Sequence, residues 1–137
     1  MVSLYIRKLP EDLQLTEPQL AVLRVVWERG EATVPEIWKV LYGERGLAQS
    51  TIATVVGRLA QRGVLERRPD PAVARQFVYR ATVSEADVRA SMVRELTDVL
   101  FGGDTTALVN HLVHSRQIRP GDLDEVRRMI DAAGDDA

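Results

Sequence analysis

The sequence predicts a mainly α-helical chain: a winged helix-turn-helix of three helices plus a two-stranded wing, followed by a C-terminal helical dimerisation region. Three observations predict it. The stretch Leu47–Ala81 reads as a helix running into a hairpin. Two threonine-capped helix starts precede it, and three amphipathic segments separated by glycine and proline breaks follow it. Hydrophobic residues make up 45% of the 137 positions but aromatics only 5%, which suits packed helices better than a β-sandwich. The expected organisation is an extension over residues 1–14, a winged-helix domain over 15–82 and a helical dimerisation region over 83–137.

In the extension, Val2, Leu4 and Ile6 alternate with Ser3, Tyr5 and Arg7 and predict a short strand or a packing arm that Pro10 ends. Thr16-Glu17-Pro18-Gln19 then has the form of a capping box, with Pro in the first turn. Leu20, Leu23, Val26 and Trp27 make the buried stripe of a first helix over about 17–29, which Gly30 closes. Thr33-Val34-Pro35-Glu36 repeats the signal, and Ile37, Val40 and Leu41 give the second helix its apolar face before Gly43 and Gly46.

The third helix, over about 49–62, buries Ile52, Val55, Val56 and Leu59 and stops at Gly63, where a residue with φ > 0 is wanted. At about 100° per residue, Ser50, Thr54, Gly57 and Gln61 point away from that stripe, with Thr51, Ala53 and Arg58 on its flanks and Gln49 at its start. The outer face is small, polar and free of acid. Side chains of these types hydrogen-bond base edges and phosphates in a major groove, although a small polar face is ordinarily just solvated.

The hairpin adds weight. Val64 and Leu65 begin its first strand, Pro69-Asp70-Pro71 predicts its turn, and Phe77 with Tyr79 lines one face of the return. Arg67, Arg68 and Arg75 remain to approach phosphates beside the groove. Residues 47–82 carry six Lys/Arg against two Asp/Glu, whereas 1–46 carry six against seven and 83–137 six against eleven. A chain of net charge −2 therefore concentrates its positive charge on the one segment with the shape to enter a groove.

Past the wing, Ser84 caps a helix with apolar positions Val88, Met92, Leu96, Val99 and Leu100. Phe101-Gly102-Gly103-Asp104 breaks it, Leu108, Val109, Leu112 and Val113 line the next helix, and Leu123, Val126, Met129 and Ile130 the last, with Gly134 and the terminal aspartates expected to fray. Such short striped helices are expected to pair with the same helices of a second chain, the alternative being that they fold back on their own winged helix. Val88, Met92, Leu96, Val99, Leu100, Leu108, Leu112, Val126 and Ile130 are the expected dimerisation contacts. Two modules related by a dyad read both halves of a palindrome, which one module alone cannot.

The residues so placed resemble the penicillinase-repressor (BlaI/MecI-like) family of bacterial transcriptional regulators. The likeness rests on Leu15-Thr16-Glu17 through Val26-Trp27, Ser50-Thr51-Ile52 with Thr54, Arg58-Leu59 with Gly63, Tyr79, and Leu100-Phe101-Gly102-Gly103 followed by Leu108-Val109. It spans roughly residues 14–131. The resemblance implies a homodimeric repressor on an inverted-repeat operator of double-stranded DNA. It also implies an upstream sensor protease whose action cuts the C-terminal helices, here near His111-Leu112. The best-known relatives carry Asn-Phe at that place. A copper-responsive branch of similar repressors ends in cysteine pairs, and this chain has no cysteine.

The remaining chemistry is thin. Without cysteine there are no disulfides, thiolate metal sites or thiol nucleophiles, which fits a reducing cytoplasm, the expected location. No apolar run reaches the roughly 18–20 residues of a membrane span, and Met1–Leu15 has no signal-peptide core. His111 and His114 stand three apart, but two ligands without a third are ordinarily surface side chains, so no metal and no cofactor are expected. No phosphate-cradling glycine loop or catalytic cluster argues for an enzyme. The competing readings are a winged helix that docks on protein without DNA affinity and a ligand-sensing regulator, which the sparse aromatics disfavour.

Overall fold

The computed structural model describes residues 14–135; the strand expected around Val2, Leu4 and Ile6 lies outside them. The elements are α1 (Glu17–Arg29), β1 (Ala32–Thr33), α2 (Val34–Arg45), α3 (Gln49–Gln61), β2 (Leu65–Pro69), β3 (Phe77–Ala81), α4 (Glu85–Phe101), α5 (Thr105–His114) and α6 (Pro120–Asp135). They fall into two compact units, one ending at Met92 and the other beginning at Val93.

Both helix starts carry complete capping boxes. The Thr16 hydroxyl accepts from the Gln19 amide while the Gln19 side chain accepts from the Thr16 amide, and Thr33 and Glu36 do the same for α2. Gly43 does not stop α2, which continues to Arg45 and ends at Gly46; a glycine inside a helix weakens it without breaking its hydrogen bonds. At Gly63 the backbone has φ 79°, and the chain turns there from α3 into the wing.

Two features of the sheet escape the sequence. Residues 32–33 form a third strand, giving the antiparallel order β1-β3-β2 with Ala32 opposite Tyr79 and Thr33 opposite Val78. Two residues are too few to show alternation, and Thr33, which caps α2, also pairs in the strand. The wing turn is also longer than Pro69-Asp70-Pro71. The Asp70 carboxylate accepts from the Ala72 amide at 2.9 Å and from the Gln76 side chain at 2.7 Å, organising the whole connection from 70 to 76.

The core of the first unit joins Val22, Leu23 and Val26 of α1 to Ile37 and Leu41 of α2, Ile52, Val56 and Leu59 of α3, and Leu65 and Tyr79 of the sheet. Val88 belongs to this core as well. It was expected at a dimer contact, but it is only 2% exposed, and Met92 packs half-buried against the same cluster. The first two turns of α4 thus complete the winged helix, and the compact unit ends ten residues after the expected boundary at Thr82. Helical spacing puts Val88 and Met92 on one stripe with Leu96 but does not say where the stripe changes partner. The indole Nε1 of Trp27 donates to the Val83 carbonyl at 2.9 Å and ties the start of this segment to α1.

The second unit is built differently. Among its residues of described burial, only Thr97 is buried, its hydroxyl donating to the Val93 carbonyl at 2.7 Å. Gly102 and Gly103, with φ 58° and 84°, turn the chain between α4 and α5, and the Gly103 amide closes the helix end on the Thr97 carbonyl. Asp104 caps α5. Helix α6 does not fray at Gly134 but runs through it to Asp135. Leu108 and Leu112 are half-buried, whereas Leu96, Val99, Leu100, Val126 and Ile130 are exposed, Val99 to 73% and Ile130 to 64%. Val93, Val109, Val113, Leu123 and Met129 add further exposed apolar area.

Candidate nucleic-acid interface

Helix α3 offers the open face that its periodicity requires. Gln49, Ser50, Thr51, Ala53, Thr54, Gly57, Arg58 and Gln61 are all exposed, while Ile52, Val56 and Leu59 are fully buried. Its start differs from those of α1 and α2: the N-cap is Ala48, which provides no side-chain acceptor, so the first-turn amides keep their hydrogen-bonding capacity for something outside the chain. The Thr54 hydroxyl donates to the Ser50 carbonyl at 3.0 Å, one turn back. At Gly57 a Cβ would meet nothing within 4 Å, so packing does not explain the glycine.

The six arginines of the basic segment separate into two groups. Arg62 donates to the Gln14 carbonyl at 2.9 Å, Arg68 pairs with Glu31 at 2.8 Å, and Arg80 pairs with Glu66. Arg58 and Arg75 have no hydrogen bond or ion pair to any described residue, and the Arg67 guanidinium lies over the Phe77 ring, 4.0 Å from its centroid. The three cations available for an anionic partner are therefore Arg58, Arg67 and Arg75.

Strand parity explains why Arg67 and Arg68 differ. Arg67 stands opposite Tyr79, and Arg68 opposite Val78; neighbours on a strand point to opposite faces of the sheet. Arg68 shares its face with Glu66, Arg80 and Val78, and two ion pairs, Arg68 with Glu31 and Arg80 with Glu66, occupy that side. Arg67 shares the other face with Phe77 and Tyr79.

At the wing tip, Arg75 adopts φ 64°, a left-handed conformation that an arginine seldom takes. The tip residues Val73, Arg75 and Gln76, with Phe77 and Tyr79, line an open cleft of about 340 Å³ whose other wall includes Pro35 at the start of α2 and Gln49 at the start of α3. Asp70, the only acid between Arg67 and the end of the wing, is engaged by the Ala72 amide and the Gln76 side chain. These bonds, the amide first, hold its carboxyl below the ordinary range. Sequence reasoning missed Glu31 and Gln76. Alternation places Phe77 with Tyr79 on one face of the return strand, but only the strand register shows which arginine it meets.

Elsewhere, the His114 Nδ1 lies 2.9 Å from the Asn110 carbonyl, and the rings of His111 and Phe101 stand 6.0 Å apart. Among the described residues no helix is long and apolar enough to cross a membrane.

Three helices with an open third helix beside a cation-bearing wing define a winged-helix DNA-binding protein. Within that class, the family model described as Penicillinase repressor matches residues 15–132, and the chain belongs to this family of transcriptional repressors, which are not enzymes. It is similar to the penicillinase repressor of Bacillus licheniformis, with 22% identity over 91% of this chain and 93% of that one. It is also similar to the methicillin resistance regulatory protein MecI of Mammaliicoccus sciuri, with 20% identity over 85% of this chain and 93% of that protein. Among solved structures, a mutant of MarR from E. coli aligns over 88% of this chain and 78% of its own with a TM-score of 0.51; at 16% identity that likeness concerns the fold alone. The DNA-binding domain of the repressor BlaI aligns over 54% of this chain and 87% of its own, at 28% identity and a TM-score of 0.48.

Proposed function

We propose that this repressor works as a homodimer on an inverted-repeat operator, with α3 in the major groove and the wing on the adjoining backbone. The observation that carries the reading is the acid-free outer face of α3, uncapped at its start and bearing Arg58, next in the chain to a wing that carries Arg67 and Arg75. Its side chains are those that bond base edges and phosphates, and a third helix of this kind is the element that enters the groove in winged-helix proteins. Gln49, Ser50, Thr51, Ala53, Thr54, Gly57, Arg58 and Gln61 supply the groove contacts. Arg67 and Arg75 supply backbone contacts, and Arg68 joins them only if Glu31 releases it.

The second unit supports the dimeric part of the reading. Among its residues of described burial only Thr97 is buried, while Leu96, Val99, Leu100, Val126, Met129 and Ile130 are exposed, so it has little apolar burial of its own to offset its folding entropy. Pairing with a second copy covers that surface and sets two α3 helices on a dyad. A sensor protease acting near His111-Leu112 would meet a bond inside α5, so release by that route requires α5 to unwind first.

The test is footprinting of the purified protein on the DNA upstream of its own coding region, with affinity measured across ionic strength. A protected inverted repeat, bound by a dimer with steep salt dependence, supports the reading. Indifference to duplex and to salt would make the chain a protein-docking winged helix instead.

A further inference from the structure

We propose that Phe77 is a positioning residue for DNA binding: it holds the Arg67 guanidinium in the orientation in which it meets a phosphate. The proposal rests on the DNA-binding reading and concerns how the wing performs it. The register places Arg67 opposite Tyr79, so Phe77 is its diagonal neighbour on the same sheet face, within reach of a long side chain. Phe77 is half-buried and packs on the hydrophobic core, so its ring is a fixed platform, and the guanidinium carbon stands 4.0 Å from the ring centroid. That platform also borders the cleft between the wing tip and the start of α3.

The chemistry of the contact matters more than its strength. A guanidinium stacked on a ring uses its face, and the N–H donors around its edge stay open for a bidentate bond to phosphate. The other tethered arginines of the segment are held by their donors: Arg62 through Nη1 to the Gln14 carbonyl, Arg68 through Nη2 to Glu31, and Arg80 through Nε and Nη2 to Glu66. No acid shares the face of Arg67, whose neighbours there are Leu65, Pro69, Phe77, Tyr79 and Ala81. Phe77 therefore orders this cation without occupying any group that DNA needs.

The experiment is a mutant cycle on the full chain, with binding to a short mixed-sequence DNA duplex measured across ionic strength, since phosphate contacts do not depend on sequence. Phe77→Leu weakens binding about two- to five-fold per protomer, and Phe77→Tyr, which keeps the stacking surface, restores it. Arg67→Ala weakens binding and makes the salt slope shallower by about 0.9 per protomer, and adding Phe77→Leu to it causes no further loss. A ring that merely packed the fold would give the same loss in both backgrounds. Thermal melting checks that each variant folds. Should Phe77→Leu unfold, Arg67→Lys reads the same contact with the ring intact, since a lysine keeps the charge but loses the planar fork; weaker binding at an undiminished slope is expected. Wild-type affinity in Phe77→Leu or Arg67→Lys, or full additivity in the cycle, would overturn the proposal while leaving the DNA-binding reading in place. A wild-type chain that ignores duplex altogether would remove that reading itself.

Discussion

Arg68 of the wing and Glu31 of the turn before β1 meet at 2.8 Å, each side chain about half exposed, on the sheet face opposite Arg67. A cation that composition alone would assign to DNA is thereby neutralised by an acid 37 residues earlier. The pair lies in solvent, where such bridges contribute about 0–1 kcal/mol, so its effect is on the charge offered to a partner more than on stability.

Glu31→Gln releases Arg68. Duplex binding should tighten at low ionic strength, and the slope of log affinity against log salt should steepen by up to about 0.9 per protomer. The melting temperature should stay nearly constant. Mobility-shift titrations at several salt concentrations measure this, and an unchanged slope would mean that Arg68 stays out of reach of the backbone.

Gly57 separates folding from binding. Nothing in the protein opposes a Cβ there, and alanine is favoured over glycine in a helix interior by about 1 kcal/mol. Gly57→Ala should therefore raise stability by up to that amount and, if α3 enters the groove as proposed, weaken operator binding by placing a methyl on its outer face. Thermal melts and operator titrations on the same preparation report both signs. Arg58→Ala should lower affinity with no change in melting.

Val88 and Leu96 lie eight residues apart on α4 and should fail in different ways. Val88→Ala opens a cavity in the winged-helix core and should reduce stability by about 1–3 kcal/mol without changing the oligomeric state. Leu96→Asp should leave the first unit folded and convert dimer to monomer, with operator affinity falling in parallel. Sedimentation equilibrium combined with thermal melting distinguishes them; a Leu96→Asp protein that remains dimeric would remove this residue from the interface.

The capping box of α2 should impose an acid limit. The Thr33 amide, more than any other contact, holds the Glu36 carboxyl below its ordinary value of 4.5, with the Thr33 hydroxyl and Arg29 adding to the effect and partial burial opposing it. Because the folded-state value is the lower one, the stabilisation is fully present above about pH 4.5 and is lost as pH falls through the folded value. The stability gap between wild type and Glu36→Gln should therefore be constant near neutrality and close in acid. Thr33→Ala, which removes the cap, should cost about 1 kcal/mol at neutral pH. Chemical denaturation at a series of pH values tests both.

The local signals were strong enough to be read along the chain. Threonine three residues before Gln or Glu, proline in the first turn and glycine at the stop each act over one helical turn, so α1, the start of α2, and α3 with its buried stripe follow from the residues themselves. The open face of α3 follows too, since it is what a 3.6-residue period leaves when Ile52, Val56 and Leu59 are buried. Period two already separates Arg67 from Arg68; what it lacks is the register that assigns the faces.

Sequence alone thus determined where the helices begin, which stripe each of α1 to α3 buries and where the positive charge concentrates, because capping, amphipathicity and charge depend on neighbours a few positions away. Tertiary structure decided the rest: that Thr33 also pairs with Val78, that Glu31 withdraws Arg68 while Phe77 carries Arg67, and that Val88 closes the winged-helix core. Those outcomes depend on strand pairing and on which surfaces meet across long stretches of chain, and no local pattern encodes a partner 37 or 56 residues away.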